Sequence, residues 1–485
     1  MEINNSKTKD VLHWFKEISK IPRCSKNEAA ISKWLENWAQ THNLESKFDD
    51  FGNILIKVPA SPGCENAPAI VLQGHMDMVC EKNNDSNHDF TKDPIEFIFD
   101  GEWLKANKTS LGADNGIAIA MALTAALDKE IKHPKLELLF TLDEETGLNG
   151  ATNLGTDLLE GKILLNIDSD EVGIFTIGCA GGKDTDISIP LEFEDINKDK
   201  KPYLIKAFGM KGGHSGTDII LDRANAIVVL ARTLNDLRKN SCFNILSING
   251  GTAHNAIPRD AQALILLNQD DYAKTQEKLH AFEDILKTEY KLMDPGLSLS
   301  IEEATFNAGD TKACTCLSSK KLINTILGFP HGVAHMDKGA ENLVQTSSNL
   351  AIVKIVNDNL EVLSSQRSSL TSRLLGLSHK IESIAAVAGG TSTTGNGYPP
   401  WEANWDSNLL TVCNSVYKEI FNKDAVVDVI HAGLECGIIG NKYPGMEMVS
   451  FGPTIKNAHS PDEKLKISDI EKVYDLVVGI MKAYL

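Results

Sequence analysis

Seven side chains in this sequence have types and neighbours suited to holding cations and moving a proton. His75 and Asp77 stand in Gly74-His75-Met76-Asp77, and Asp114 in Leu111-Gly112-Ala113-Asp114-Asn115-Gly116. Glu144 and Glu145 stand in Asp143-Glu144-Glu145-Thr146-Gly147, Asp168 follows Asn166-Ile167, and His459 lies in Ala458-His459-Ser460-Pro461-Asp462-Glu463. Imidazole nitrogen and carboxylate oxygen ligate zinc at about 2.0–2.2 Å. Two metal ions about 3.5–4 Å apart need one shared carboxylate and further ligands on each side. One bridging Asp, two His, one Glu and one Asp meet that count. Hydrolysis at such a centre also needs a carboxylate that is not a ligand, to take a proton from the attacking water and pass it to the leaving group. The adjacent pair Glu144-Glu145 offers one base and one ligand. Taken singly, each motif is an ordinary solvated turn. Their joint placement is what points to a two-metal hydrolytic centre.

That placement comes from the elements before them. Asn53 to Val58, Ala69 to Leu72, Leu136 to Thr141, Ile163 to Ile167 and Met446 to Phe451 read as strands. Leu136 to Thr141 and Ile163 to Ile167 are short buried-type runs. Asp10 to Gln40 carries apolar residues at helical spacing, broken at Pro22, and Gly116 to Leu127 is an Ala-rich helix. Strands alternating with helices predict an α/β sheet covered on both faces. Sites in open α/β sheets form at the carboxyl ends of strands, where His75, Asp77, the Asp143–Glu145 run, Asp168 and His459 fall, with Asp114 opening a helix.

The character changes after the charged stretch Glu192 to Lys200. Tyr203 to Phe208, a helix from about Arg223 to Lys239, a hairpin of Phe243 to Ile248 with Gln262 to Leu267, and a helix from Ala273 to Glu289 follow in β-α-β-β-α order, which is ferredoxin-like. A related set is expected in a hairpin through Asn357-Asp358-Asn359 and a helix from about Leu370 to Val387. Gly389 to Pro400 reads as a linker or crossing loop. The last helix opens on a capping box, Ser468-Asp469-Ile470-Glu471. The predicted division is a catalytic domain over 1–186 and 398–485, interrupted by a lid and dimerisation domain over 187–397.

Bulk properties narrow the partners. With 66 acidic against 48 basic residues, the net charge is −18, which argues against nucleic acid and anionic membrane. The start, Met1 to Ser6, has no apolar core of a secretory leader, and the longest apolar stretch, Ile117 to Leu127, is too short to span a bilayer. The nine cysteines are scattered and odd in number, so reduced thiols and a cytoplasmic location are expected. Cys314 and Cys316 form a C-x-C with no second pair to complete a metal site, and Cys80 and Cys436 read as packing residues. His331 and His335 have i, i+4 spacing, but Pro330 and Gly332 break a helix there, so a metal role is not expected.

The motifs quoted above, with Gly212-Gly213-His214-Ser215-Gly216, together resemble the M20 metallopeptidases. Asn255-Ala256-Ile257-Pro258-Arg259, His431-Ala432-Gly433-Leu434-Glu435-Cys436-Gly437 and the large insert resemble that family's aminoacyl-histidine (Xaa-His) dipeptidase branch. The resemblance covers nearly the whole chain. It implies a di-zinc aminopeptidase-like catalytic domain, a mixed sheet flanked by helices, interrupted by a large α+β lid. It implies that His75 and Asp168 bind one zinc, Glu145 and His459 the other, and that Asp114 bridges them and precedes a cis peptide. Asp77 would fix the His75 tautomer, and Glu144 would be the general base and acid. His214, which in relatives often comes from the partner subunit of a homodimer, would hydrogen-bond the substrate carbonyl, with Asn255 and Arg367 as further substrate contacts. His254 stands where a basic residue is expected in this branch. The implied activity is hydrolysis of Xaa-His and other small dipeptides, with two Zn²⁺ per subunit, Co²⁺ or Mn²⁺ being compatible with the same ligands. An N-acyl amino acid deacylase or a tripeptidase would share fold and metals. A non-catalytic binding homologue would have lost a ligand or the base, and all seven positions are intact.

Overall fold

The computed structural model describes residues 5–239, 242–306, 311–339 and 342–485; Met1 to Asn4, part of the segment read for a leader, lie outside these. The chain divides into two compact units. One comprises 1–179, 401–429 and 434–485, and the other 180–400 and 430–433.

The first unit is built on an eight-stranded mixed sheet. Its order is Glu45–Phe48, Ile54–Val58, Leu136–Thr141, Ile70–His75, Ile163–Asn166, Glu447–Ser450, Ile174–Cys179 and Val426–Ile430. The Ile70–His75 strand runs parallel to both Leu136–Thr141 and Ile163–Asn166, and Glu447–Ser450 continues the parallel set. These central strands are buried along nearly their whole length, as parallel strands covered on both faces are. The Ala113–Leu127 helix is buried from Asn115 to Ala125, which explains its small, all-round apolar composition. Its first residues are not helical: Asp114 has ψ 108° and the Asp114-Asn115 peptide is cis, so the regular helix begins at Gly116. Gly74 lets this helix approach the strand, because a Cβ there would lie 2.8 Å from the Ala118 Cβ and collide with the Asn115 side chain.

Two expectations for this unit need correction. His459 does not come straight off the main sheet. After Glu447–Ser450 the chain passes through the irregular segment 451–454 and enters a separate four-stranded sheet of Ile455–Lys456, Lys464–Lys466, Trp103–Ala106 and Phe97–Asp100. His459 sits in the hairpin between the first two, at φ 62°. The last helix spans Ile467–Ala483, so Ser468 lies inside it and no capping box forms. Asp469 instead accepts from the Thr454 hydroxyl at 2.6 Å.

The second unit is a nine-stranded antiparallel sheet. Its order is Ser298–Glu303, Lys200–Phe208, Ala261–Asn268, Asn244–Gly250, Val344–Val356, Asn359–Ser368, Gly181–Pro190 and Thr391–Thr394, with Gly332–Met336 also paired to Val344–Val356. Lys200–Phe208, helix Ala226–Leu237, Asn244–Gly250, Ala261–Asn268, helix Tyr272–Glu289 and Ser298–Glu303 make the ferredoxin-like βαββαβ succession. Helices Cys316–Gly328 and Thr371–Val387 add to it, and one buried apolar cluster joins all four helices to the sheet. The hairpin through Asn357-Asp358 forms as expected, both residues having positive φ. The 389–400 segment is more than a linker, because its Thr391–Thr394 portion, rich in β-branched residues, pairs with Gly181–Pro190 as an edge strand.

Candidate metal centre

The carboxyl ends of three adjacent parallel strands deliver His75, the Asp143–Glu145 turn and Asp168 to one place. Asp114 arrives from the non-helical start of its helix, and His459 from its hairpin. Asp114 stands between the two imidazoles: one carboxylate oxygen is 3.1 Å from His75 Nε2 and the other 3.1 Å from His459 Nε2. His459 Nε2 is also 3.0 Å from Glu145, and His75 Nε2 is 3.6 Å from Asp168. One donor atom from each of His75, Asp114 and Glu145 lies within 4.8 Å of the others.

Asp77 is fully buried beside His75, its oxygen 3.3 Å from His75 Nδ1, close enough for ion pairing but outside good hydrogen-bond geometry. It also accepts from the Glu144 and Glu145 backbone N–H groups at 3.0 and 3.2 Å and from the Ser25 hydroxyl at 2.8 Å. One carboxylate thereby fixes the His75 strand end relative to the Glu144-Glu145 turn.

The electrostatics are those of a cation site. Burial raises the pKa of Glu144, Glu145 and Asp168, and neighbouring carboxylates add to the rise. Burial disfavours the charged imidazole of His75, but Asp168, Asp114 and Asp77 outweigh it and hold its pKa well above the ordinary value. His459 is pushed up to about 11 by its bonds to Asp114 and Glu145. Burial opposes ionisation of Asp77, yet His75, the Glu144 N–H and Ser25 bring it down to about 2. Five carboxylates thus demand positive charge, which the protonated imidazoles supply. A divalent cation meets the same demand and leaves the imidazoles neutral, as metal ligation requires. The donor set of imidazole and carboxylate fits zinc, and the unpartnered Glu145 Oε1 is a free donor atom beside it.

The profile of peptidase family M20/M25/M40 matches residues 71–483. The chain belongs to this family. It is 36% identical over 468 residues, covering 96% of each chain, to the cytosol non-specific dipeptidase of Escherichia coli. Its fold resembles the aminoacylhistidine dipeptidase from Vibrio alginolyticus with a TM-score of 0.87 at 36% identity, covering 99% of this chain and 98% of that one. The aminopeptidase PepT from Bacillus cereus matches with a TM-score of 0.57 at 17% identity over 98% of both chains, which shows the shared fold.

Several residues that hold this M20 centre together were not assigned such roles from sequence. Arg23 is buried at 2% exposure; its Nη1 donates to the Met76 and Asp77 carbonyls at 3.0 and 2.9 Å, and its Nη2 to the Gly112 carbonyl. Glu463 accepts from the backbone N–H groups of Leu111, Gly112 and Ala113 at 2.7, 3.0 and 2.8 Å. It ties the His459 hairpin to the loop that carries Asp114. Asn115 donates to the Ile167 carbonyl at 2.6 Å and accepts from the His75 N–H at 3.2 Å, joining three of the segments at once. Beneath them, Glu435 accepts from Gln73 at 2.6 Å and Thr141 at 2.8 Å, and Gln73 accepts from Asn166 at 2.5 Å. Gln73 lies two residues before His75 in the same strand, so the pleat puts both on one face, while Thr141 and Asn166 are the last residues of the neighbouring strands. The sequence signal was that Asn115, Asn166, Glu435 and Glu463 lie inside motifs. Nothing marked Arg23.

Glu463→Ala leaves the Leu111, Gly112, Ala113 and Asp114 N–H groups without their acceptor, at about 1–3 kcal/mol each when nothing replaces it. The expected result is a lowered unfolding temperature and a metal affinity reduced by about 10–100-fold. Calorimetry and metal titration check it; unchanged metal affinity contradicts the positioning role.

The remaining expected site residues lie in the second unit. His214 is held near a pKa of about 4 by burial and by the nearby charge of Arg367. Its Nδ1 accepts from the Gly216 and Thr217 N–H groups at 3.3 and 3.2 Å, which leaves Nε2 as the protonated, donating nitrogen. Arg367 donates to the Tyr398 hydroxyl at 2.8 Å. Asn255 is exposed, and its carbonyl accepts from Ser215 N–H at 2.8 Å. His254 pairs with Asp184 at 2.9 Å, which raises its pKa, so it holds positive charge more readily than a free histidine. His331 is fixed by Asn225 and the Leu350 N–H, and His335 is exposed on the Gly332–Met336 strand, so the two are not a ligand pair.

The cysteine reading is corrected in one respect. Cys24 and Cys80 form a disulfide, with Cα atoms 5.7 Å apart. It joins the segment of Arg23 and Ser25 to the segment following Asp77. Cys436 is buried as expected.

Proposed function

We propose that this M20 chain is a two-metal dipeptidase, with zinc as the metal and Glu144 as general base and acid. The observation that carries the proposal is Asp114, whose two oxygens face His75 and His459 separately, as a bridging ligand must. In the proposal His75 and Asp168 hold one ion, Glu145 and His459 the other. When bound, the ions polarise the scissile carbonyl and lower the pKa of water toward about 7. Glu144 takes the proton of the attacking water and delivers it to the leaving amine. Asp77 holds the His75 ring in orientation and tautomer while fixing the backbone beside Glu144. His214 serves as oxyanion donor through its Nε2–H, with Asn255 and Arg367 as further substrate contacts. The printed activities of the Escherichia coli and Vibrio relatives support dipeptides as the substrate class and, for the latter, a C-terminal histidine. The Escherichia coli relative's name likewise supports a cytoplasmic location. No helix among the described residues is long and apolar enough to cross a membrane. Homodimerisation follows from the resemblance alone and is tested by solution mass.

Dialysis against a strong chelator is expected to abolish dipeptide hydrolysis, and zinc to restore it as two ions bind per chain. Elemental analysis beside the activity assay checks this. Full activity in chelator, or recovery complete at one ion per chain, overturns the two-metal reading.

A further inference from the structure

Cys316 is the first residue of the Cys316–Gly328 helix, and Thr315 caps that helix by accepting from the Ser318 N–H. Cys242 precedes the Asn244–Gly250 strand, 74 residues earlier. The fold brings their sulfur atoms to 2.8 Å, and both residues are exposed. The C-x-C motif is therefore a false pairing: Cys314 is buried, with burial pushing its thiol up to about 12, whereas its neighbour faces Cys242.

The two thiols line a cavity of about 640 Å³ with Arg238, Lys239 and Lys320. Arg238 donates to amide oxygens of Asn235 and Asn324, at 3.1 and 2.8 Å, and among the described residues its Nη1 has no hydrogen-bond partner, while Lys239 pairs with Asp236 at 2.8 Å. Lys320 is exposed. Cys316 stands at a helix N-terminus with Lys320 in the same cavity wall, and thiolate is the form that attacks a disulfide. The basic wall also attracts anions.

We propose that Cys242 and Cys316 are a reversible thiol–disulfide site that reacts with anionic low-molecular-weight disulfides. The Cys316 thiolate attacks one sulfur of the small disulfide RSSR, forming Cys316–S–S–R and expelling RS⁻. Cys242 loses its proton to solvent and attacks the Cys316 sulfur, forming the Cys242–Cys316 bond and expelling the second RS⁻. Two electrons pass from the protein to RSSR, which leaves as two thiols. The site lies wholly within the second unit and does not depend on the dipeptidase reading.

Oxidised glutathione is the probe, applied to the folded full chain. Before treatment, the denatured, unreduced protein should titrate seven thiols, the nine cysteines less the Cys24–Cys80 pair. After treatment it should titrate five, and non-reducing peptide mapping should show Cys242 joined to Cys316. Cys242→Ser should stop at one glutathione on Cys316, released by dithiothreitol. Lys320→Gln should slow the reaction with oxidised glutathione several-fold but not that with neutral 2-hydroxyethyl disulfide. Independent alkylation of both cysteines after treatment, or capture of glutathione at Cys64 in preference to Cys316, overturns the proposal. Equal slowing with both disulfides overturns the role of the basic wall.

Discussion

Glu144→Gln is expected to lower kcat for dipeptide hydrolysis by about 10³-fold or more while leaving the bound metal unchanged. The substitution keeps the shape of the side chain but removes its ability to accept and return a proton, a contribution usually about 10²–10⁴-fold. Glu144 is the suitable group because it is not one of the residues that pair with the imidazoles. Its neighbour Glu145 is, at 3.0 Å from His459 Nε2. The turn is fixed by the two N–H bonds to Asp77, which do not involve the Glu144 side chain, so the mutant keeps that geometry. Equal metal content in mutant and wild type, with kcat collapsed, separates a base from a ligand. A residual rate within tenfold of wild type contradicts the assignment.

Arg23→Met is expected to produce the largest loss of stability of any single change near the centre. The guanidinium reaches three carbonyls on two different loops, those of Met76, Asp77 and Gly112. Burial lowers its pKa to about 10, partly opposed by Glu463, Asp77, Asp114 and Glu145, so the cation is set among the acidic groups it balances. Methionine fills much of the volume but leaves the carbonyls unpaired and the acidic charge uncompensated. Removing one partner of such a buried charge set costs about 3–5 kcal/mol. For a unit of this size that corresponds to a fall in unfolding temperature of roughly 10 °C. Arg23→Lys should not restore it, because a single ammonium cannot reproduce the planar fork. Thermal unfolding of the three proteins checks this, and a shift of only a degree or two in Arg23→Met contradicts the clamp.

These two residues also mark what the sequence made legible. The position of Glu144 was legible because strand, turn and acid pair are contiguous: the apolar run Leu136–Thr141 announces the strand, and the acids follow it directly. The same logic located His75 and Asp168. It was less exact for His459, because an irregular segment, 451–454, carries the chain into a second sheet before the histidine, and pairing with Trp103–Ala106 is a long-range event no local pattern reports. Arg23 was invisible for a related reason. An arginine in a surface-like stretch, Pro22-Arg23-Cys24-Ser25-Lys26, becomes a buried clamp only once two distant loops close over it. The disulfide beside it was missed because scattered cysteines carry no pairing information in sequence. In the second unit the two hairpins and the helices Ala226–Leu237, Tyr272–Glu289 and Thr371–Val387 were readable from turn residues and periodicity, whereas the Cys316–Gly328 helix was not read. The Thr391–Thr394 edge strand was not, since its Gly, Ser and Pro neighbours read as a loop.

The central claim is that the centre cleaves the peptide bond of free dipeptides. The most direct measurement is amino-acid release by the zinc-loaded chain from Ala-Ala, Gly-His and β-Ala-His, set against release from N-acetyl-alanine under the same conditions. The account predicts cleavage of the dipeptides and little or none of the acetylated amino acid. Release from N-acetyl-alanine with all three dipeptides intact would contradict it and make the chain a deacylase on the same M20 fold.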